Sequence, residues 1–152
     1  CVKVTGPNGK SITAMVTDQC PGCGTNHLDL YEDAFPNLAP KSAGIIKISW
    51  DYVACPITTP LSIHMKSGVS QYWFSAQVVN AKLRTTKLEV SADSGKTWKA
   101  ATRTTYNFFE ISSGAGVSNA WIRVTSEKGD TVVVKNVSQT GDVRVTAASN
   151  YA

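Results

Sequence analysis

At 152 residues with 42% hydrophobic side chains, the chain has material for one or two small globular domains. No apolar run approaches the ~18 residues a membrane-spanning helix needs, and no Lys/Arg pair is adjacent as in a nucleic-acid-binding tail, so neither membrane nor nucleic acid is an expected partner. The formal charge of +4 is unevenly shared: residues 1–59 carry four lysines against five carboxylates, net −1, and residues 60–152 carry net +5.

Val2–Thr5 and Ser11–Thr17 read as strands, joined by the hairpin signal Asn8-Gly9. Asp18 and Asp29 follow, eleven residues apart across the Cys20-Pro21-Gly22-Cys23 turn, each beside a short apolar run. Two carboxylates facing one cleft are the minimal equipment for acid chemistry on a glycosidic bond. Asp is equally a turn and cap residue, and on local chemistry the two readings are level. Leu30, Ala34, Phe35 and Leu38 recur at helical spacing, so Leu30–Leu38 is expected as a short helix. Ile45–Val53 alternates as a strand, with Trp50 and Tyr52 on one face as packing aromatics. Cys55-Pro56-Ile57-Thr58-Thr59-Pro60, stiffened by proline at both ends, reads as a linker between domains 1–57 and 58–152.

All four cysteines, Cys1, Cys20, Cys23 and Cys55, lie in the first half. An even count in a small β-rich domain indicates disulfides and an oxidising, extracellular compartment. Cys-x-x-Cys as half of a zinc site would need Cys1, Cys55 or His27 as partners, and no second closely spaced ligand pair exists. Disulfides are therefore expected, with neither metal nor cofactor. A chain that opens on Cys1 without a signal peptide reads as a mature or truncated product.

Past the linker, eight strands are expected near 61–66, 73–80, 86–91, 97–102, 106–111, 120–126, 131–136 and 142–146. Turn signals such as Asp93-Ser94-Gly95 and Lys128-Gly129-Asp130 separate them, and this spacing indicates a β-sandwich. In 73–80, Phe74, Ala76 and Val78 share the core parity, while Trp73, Ser75 and Gln77 should meet water. A water-facing Trp73 is a stacking surface for sugar rings unless a neighbouring loop covers it. Trp98 is expected in the core, opposite Ala100. Trp121, sharing parity with Arg123 and Thr125, is expected as an accessory contact or the rim of a turn.

Two stretches carry a resemblance. Val16-Thr17-Asp18-Gln19-Cys20 and His27-Leu28-Asp29-Leu30, followed by Asp33-Ala34-Phe35, are similar to the double-psi β-barrel of expansins, barwin-like proteins and family-45 endoglucanases. Lys66-Ser67-Gly68-Val69-Ser70-Gln71-Tyr72-Trp73-Phe74-Ser75-Ala76-Gln77-Val78 resembles the start of the expansin cellulose-binding module, a family-63 carbohydrate-binding module, and Thr105-Tyr106-Asn107-Phe108-Phe109 matches its third-aromatic segment. The resemblance implies an all-β protein, a double-psi β-barrel followed by an immunoglobulin-like β-sandwich. It further implies Asp29 at the general-acid position and Asp18 as the second groove carboxylate. Tyr72, Trp73 and Tyr106 become a row of stacking rings with Lys66 beside it, Tyr72 standing where bacterial members have a tryptophan. Cys1 is expected to pair with Cys55, and Cys20 either with Cys23 or with a cysteine upstream.

In the family a further segment precedes the position of Cys1 and supplies the first strands and, in the hydrolases, the catalytic base; the resemblance therefore implies an N-terminally truncated barrel here. The implied function is that of a secreted, monomeric, non-hydrolytic plant cell-wall loosening protein of microbial or fungal type. Its partners would be cellulose and other cell-wall polysaccharides. The alternatives are an inverting endoglucanase of the family-45 type and a protein that only binds carbohydrate.

Overall fold

Alternation in Val2-Lys3-Val4-Thr5 buries both valines and leaves Lys3 in solvent. In the computed structural model, which describes residues 1–152, this strand is the middle of a three-stranded antiparallel sheet. The chain divides into two units, Cys1–Cys55 and Pro56–Ala152.

In the first unit β1 (Val2–Thr5) pairs with β2 (Ser11–Ala14) on one side and β3 (Ser49–Tyr52) on the other. Both partners are shorter than the expected Ser11–Thr17 and Ile45–Val53, because β1 offers a ladder of only four residues. Met15–Thr17 and Ile45–Ile48 run past its ends with no strand opposite. The expected Leu30–Leu38 helix is reduced to one 3-10 turn, Phe35–Asn37. Pro36 lacks the N–H an α-helix would use, Pro40 prevents continuation, and Leu38 N–H bonds back only three residues to Phe35 O at 2.9 Å. The core is small: Val2, Val4 and Leu38 are buried, flanked by half-buried Ile12, Leu28, Leu30, Ile46, Ile48 and Trp50. Two disulfides, Cys1–Cys55 and Cys20–Cys23, staple the unit. The second resolves the open pairing of Cys20 and removes Cys-x-x-Cys as a zinc half-site.

The second unit is larger and regular. Its strands are β4 (Ser62–Met65), β5 (Phe74–Val79), β6 (Thr85–Ser91), β7 (Lys99–Ala100), β8 (Thr102–Arg103), β9 (Phe109–Ile111), β10 (Asn119–Ser126), β11 (Thr131–Ser138) and β12 (Arg144–Thr146). They form two antiparallel sheets, β11-β10-β6-β7 and β12-β4-β5-β9-β8, which contribute to one core. Ile63, Met65, Phe74 and Phe109 come from the five-stranded sheet, and Leu88, Ile122 and Val124 from the other; all are buried. The single strand expected at 97–102 is two, because the chain leaves one sheet and joins the other at Ala101.

That switch corrects the placement of Trp98. Ala100 pairs with Glu89, whose partner across β10 is Arg123, so Ala100 and Trp98 have outward parity. Trp98 is absent from the core and instead lies beneath the Arg123 guanidinium, 4.3 Å from it, its indole N–H donating to Gly95 O at 3.1 Å. A second correction concerns Ser75, which shares Trp73's parity but is fully buried. It is covered because its hydroxyl donates to Glu110 Oε1 at 3.1 Å, and the Tyr106 side chain folds onto the same carboxylate.

Candidate functional site

In the first unit, the Cys20–Cys23 turn leads into a loop tied to the sheet by one long-range bond: Trp50 Nε1–H donates to Asn26 O at 3.0 Å. That bond fixes where the following Leu28-Asp29-Leu30 segment lies. Leu28, Asp29, Leu30, Glu32, Phe35, Lys41 and Gly44 line one open depression. Asp29 is exposed within it, with Leu28 and Leu30 as its apolar floor. Glu32 and Lys41 form an ion pair at 2.9 Å. The depression thus holds two carboxylates, Asp29 and Glu32, the second countered by an ammonium. Asp18 is not among the lining residues. It is exposed, and its Oδ1 accepts the backbone N–H of Gln19 at 2.8 Å, a local turn bond. Asp18 does not line this depression, where Glu32 is the second acid beside Asp29.

In the second unit, two turns beside strands of the five-stranded sheet carry aromatic residues. A tight turn, Ser70 N–H to Trp73 O at 3.0 Å and Trp73 N–H to Ser70 O at 3.2 Å, places Gln71 and Tyr72 at its tip. Tyr72 is 74% exposed, the extreme for a ring in this unit. Trp73 is half-buried, with part of its ring against the core. The turn rests on Gly114: a Cβ there would stand 2.1 Å from Gln71 O, and Gly116 N–H donates to that same oxygen at 2.8 Å. Only glycine fits Gly114, whose φ of 71° is also left-handed.

Tyr106 projects from the loop between β8 and β9. Its hydroxyl donates to Glu110 Oε1 at 2.6 Å, and its ring lies 5.8 Å from Phe108. The Lys66 ammonium stands 5.6 Å from the Phe108 ring centre and His64 approaches the same ring at 6.2 Å. Phe108, His64 and Glu110 were not expected as site residues. Their signal was present in strand parity: Phe109 is core, so Phe108 and Glu110 must face outward together. The Glu110 carboxylate, with a smaller contribution from burial, pushes the Tyr106 phenol above its ordinary range.

Trp121 lies on the outer face of the other sheet. Lys135 Nζ is 4.7 Å from its ring centre and its indole N–H donates to Asn136 Oδ1 at 3.3 Å. Its sheet, with β10 and β11, is not the one whose strands β5, β8 and β9 flank the Tyr72–Trp73 turn and the Tyr106 loop. Nearby, Glu89 accepts from Arg123 at 2.8 Å and from Lys87 at 2.7 Å while only 6% exposed; the Arg123 bond foremost holds its carboxyl below the usual range.

A model of the double-psi β-barrel domain, described as lytic transglycolase, matches residues 1–50. Expansin-YoaJ of Bacillus subtilis (strain 168) is 35% identical over 131 residues, 86% of this chain and 55% of that protein. Expansin-like protein 5 of Dictyostelium discoideum is 30% identical over 139 residues, 88% of this chain and 58% of its own length. The chain thus spans roughly half the length of these curated relatives. Among solved structures, a mutant of Clavibacter michiganensis expansin in complex with cellohexaose superimposes with a TM-score of 0.86 at 34% identity, covering 99% of this chain and 73% of that one.

Proposed function

The chain belongs to the expansin family, and from that premise we propose that it is a secreted, non-hydrolytic protein that binds cellulose through its second unit and loosens plant cell walls through its first. What supports this reading is the exposed Tyr72 ring on the Ser70–Trp73 turn, and the Tyr106 and Phe108 rings before β9 with Lys66 over Phe108; we take Tyr72, Trp73 and Tyr106 as one stacking row, the aromatic face. Flat rings in a row present stacking area to successive pyranose units, and the similar expansin was solved with cellohexaose bound. On this reading the second unit, Pro56–Ala152, is an immunoglobulin-like β-sandwich and the first is a double-psi barrel with Asp29 on its sugar-facing depression. Its two disulfides suit an extracellular protein. We assign it no cofactor and treat it as a monomer.

Loosening without hydrolysis is competition for sugar hydroxyls and stacking surfaces. Asp29 holds a glycosidic oxygen or hydroxyl by hydrogen bond and needs no activated water. Hydrolysis by inversion would need a base across the bond from it, with room for a water between. The family-45-type alternative gains one point from the structure, since Glu32 shares the depression with Asp29. Against it, Glu32 is engaged by Lys41 and its side chain is 79% exposed, which does not suit a positioned base.

Three variants test the assignment together. Trp73→Ala should lower binding to insoluble cellulose, each ring contributing on the order of 1 kcal/mol, and Trp121→Ala should leave it nearly unchanged. Asp29→Asn should keep cellulose binding and lower the creep of wall strips, with no reducing sugar released by either parent or variant. Sugar release that disappears in Asp29→Asn would establish the hydrolase instead. Equal retention of Trp73→Ala and parent on cellulose would remove the aromatic face from the account.

A further inference from the structure

We propose that Glu110 is the positioning residue of the aromatic face, holding the Tyr106 ring in its binding pose through a charge-assisted hydrogen bond. This rests on reading Tyr72, Trp73 and Tyr106 as the cellulose-stacking rings. Tyr106 lies beyond the last ladder pair of β8 and β9, Arg103 with Phe109, in a loop closed by Thr104 N–H to Phe108 O at 2.7 Å. Its neighbour Asn107 turns the chain in the left-handed region, φ 64°, and Arg103 Nε–H caps the loop by donating to Asn107 Oδ1 at 2.9 Å. None of these bonds fixes the Tyr106 ring itself.

The hydroxyl does. At 2.6 Å the Tyr106–Glu110 contact has the length of a strong O–H···O⁻ bond. Its acceptor stands on rigid ground, since Glu110 is within β9, directly opposite Ser75 of β5. The fully buried Ser75 hydroxyl donates to the same carboxylate oxygen at 3.1 Å, so the rotamer of Glu110 is itself held. Order thus passes from the sheet through Ser75 and Glu110 to a ring on a loop. A free tyrosine would have to be immobilised when a glucan stacks on it, and prior tethering removes that cost from binding. The bond also accounts for the raised ionisation of the Tyr106 phenol.

The test uses the full chain and insoluble cellulose, with Glu110→Gln, Glu110→Ala, Tyr106→Phe and the double variant Tyr106→Phe/Glu110→Ala. Glu110→Ala should bind about three- to tenfold more weakly, the effect of releasing one ring. Glu110→Gln should recover part of the loss, because its amide oxygen still accepts. Tyr106→Phe keeps the ring but loses the tether, and in that background Glu110→Ala should add nothing. Alkaline ultraviolet titration gives an independent readout: the parent has two late-ionising phenols, Tyr106 and Tyr151, the latter pushed up to about 12 mainly by burial, and only the Tyr106 phenol should move to the ordinary range in Glu110→Ala and vanish in Tyr106→Phe. If Glu110→Ala binds as the parent does while Trp73→Ala loses binding, the positioning role is overturned and the aromatic face stands. If Trp73→Ala also binds as the parent does, the face fails and Glu110's role with it. Should Glu110→Ala not fold, Glu110→Gln, Tyr106→Phe and Tyr106→Phe/Glu110→Gln carry the comparison, and losses that add in that last variant overturn the proposal.

Discussion

The two units solve the problem of stability differently. Pro56–Ala152 closes two sheets on a core with Phe74, Phe109, Leu61, Ile63, Met65, Leu88 and Ile122 fully buried or nearly so. Cys1–Cys55 buries two valines and one leucine and leaves Val16, Tyr31, Ile45 and Tyr52 each more than half exposed. Its β2 and β3 are both edges of a four-residue ladder. Each large side chain fully buried contributes about 1.5–3 kcal/mol, so the core of the first unit cannot carry it unaided. Both disulfides are found there and none in the second unit. Packing holds one unit and covalent closure the other. The Tyr72–Trp73 turn and the Tyr106 loop thereby stand on the better-packed unit, while Asp29 stands on a loop segment held by the Cys20–Cys23 clip and the Trp50–Asn26 bond.

The largest effect should come from breaking that asymmetry at its covalent side. Cys1–Cys55 closes a loop of sequence separation 54, worth about 4 kcal/mol by chain entropy, and Cys20–Cys23, with separation 3, about 1.5–2 kcal/mol. Cys1→Ser/Cys55→Ser should melt the first unit at a temperature where the second stays folded, seen as a separate early transition in calorimetry. Cellulose binding measured between the two transitions should persist. A single cooperative transition in the double variant would show that the second unit shares the dependence on the disulfide.

On the packing side, the sensitive point is Gly114. A methyl there meets the backbone oxygen of Gln71 at 2.1 Å, a partner that cannot swing aside, in a left-handed conformation that disfavours any side chain. Gly114→Ala should cost about 1–3 kcal/mol and displace the turn that presents Tyr72 and Trp73, so binding should fall further than stability alone explains. Gly116→Ala, at a φ of 77° but with open space around its Cβ, should be milder. Equal losses at the two positions would remove the steric part of this account.

Much of the second unit was legible because its strands obey parity. The expected strands at 61–66, 73–80, 86–91, 120–126 and 131–136 all overlap observed ones, and the burial of Phe74 and Ala76 follows from alternation alone. Parity failed where a strand changes sheets, at Ala101, which turned Trp98 outward, and where a side chain from another strand covers a position, as Glu110 covers Ser75. In the first unit, strand lengths depend on the partner available, which no local pattern in Ser11–Thr17 or Ile45–Val53 reveals. The helix at Leu30–Leu38 failed to an explicit local signal, Pro36, which outweighs four well-spaced apolar residues. Asp29 stood out because its flanking leucines and motif are local. Glu32 did not, because its place in the depression depends on the fold of the Phe35–Asn37 turn and on Lys41.

A smaller effect should come from Glu89. Its carboxylate is nearly buried between Arg123 and Lys87 on the face opposite the core, and Arg123 in turn covers Trp98. Glu89→Gln should destabilise the second unit by about 1–3 kcal/mol at neutral pH, the range for hydrogen bonds to charged groups. The folded carboxyl ionises below its ordinary value, so the contribution is present above the unfolded carboxylate range, about 4.3, and is lost as pH falls through the lower folded value. The gap between parent and variant should therefore close on acidification below about pH 4. A gap that stays constant from neutral to acid pH would mean that the loss is one of packing.

The smallest effect separates the units by charge. Residues 1–59 are close to neutral at −1 and residues 60–152 carry +5, so any attraction to acidic wall polymers belongs to the second unit. Part of that charge is already committed: Glu89 takes up Arg123 and Lys87, and Glu127 pairs with Arg84 at 3.3 Å. Lys96, Lys99, Arg103, Lys128, Lys135 and Arg144 are exposed, and an exposed charge is screened beyond about 10 Å at 0.1 M salt and about 3 Å at 1 M. Binding to purified cellulose, which is neutral and held by stacking, should change little between low and high salt. Binding to pectin-containing walls should weaken several-fold over the same range, on the order of 1 kcal/mol in all, as expected of a few screened surface charges. Lys135→Glu, which reverses a cation lying over Trp121 on the sheet opposite the aromatic face, should lower pectin-wall binding while leaving cellulose binding as it was. Pectin-wall binding as indifferent to salt as cellulose binding would mean that the +5 excess only keeps the protein soluble, and that stacking alone determines where it binds.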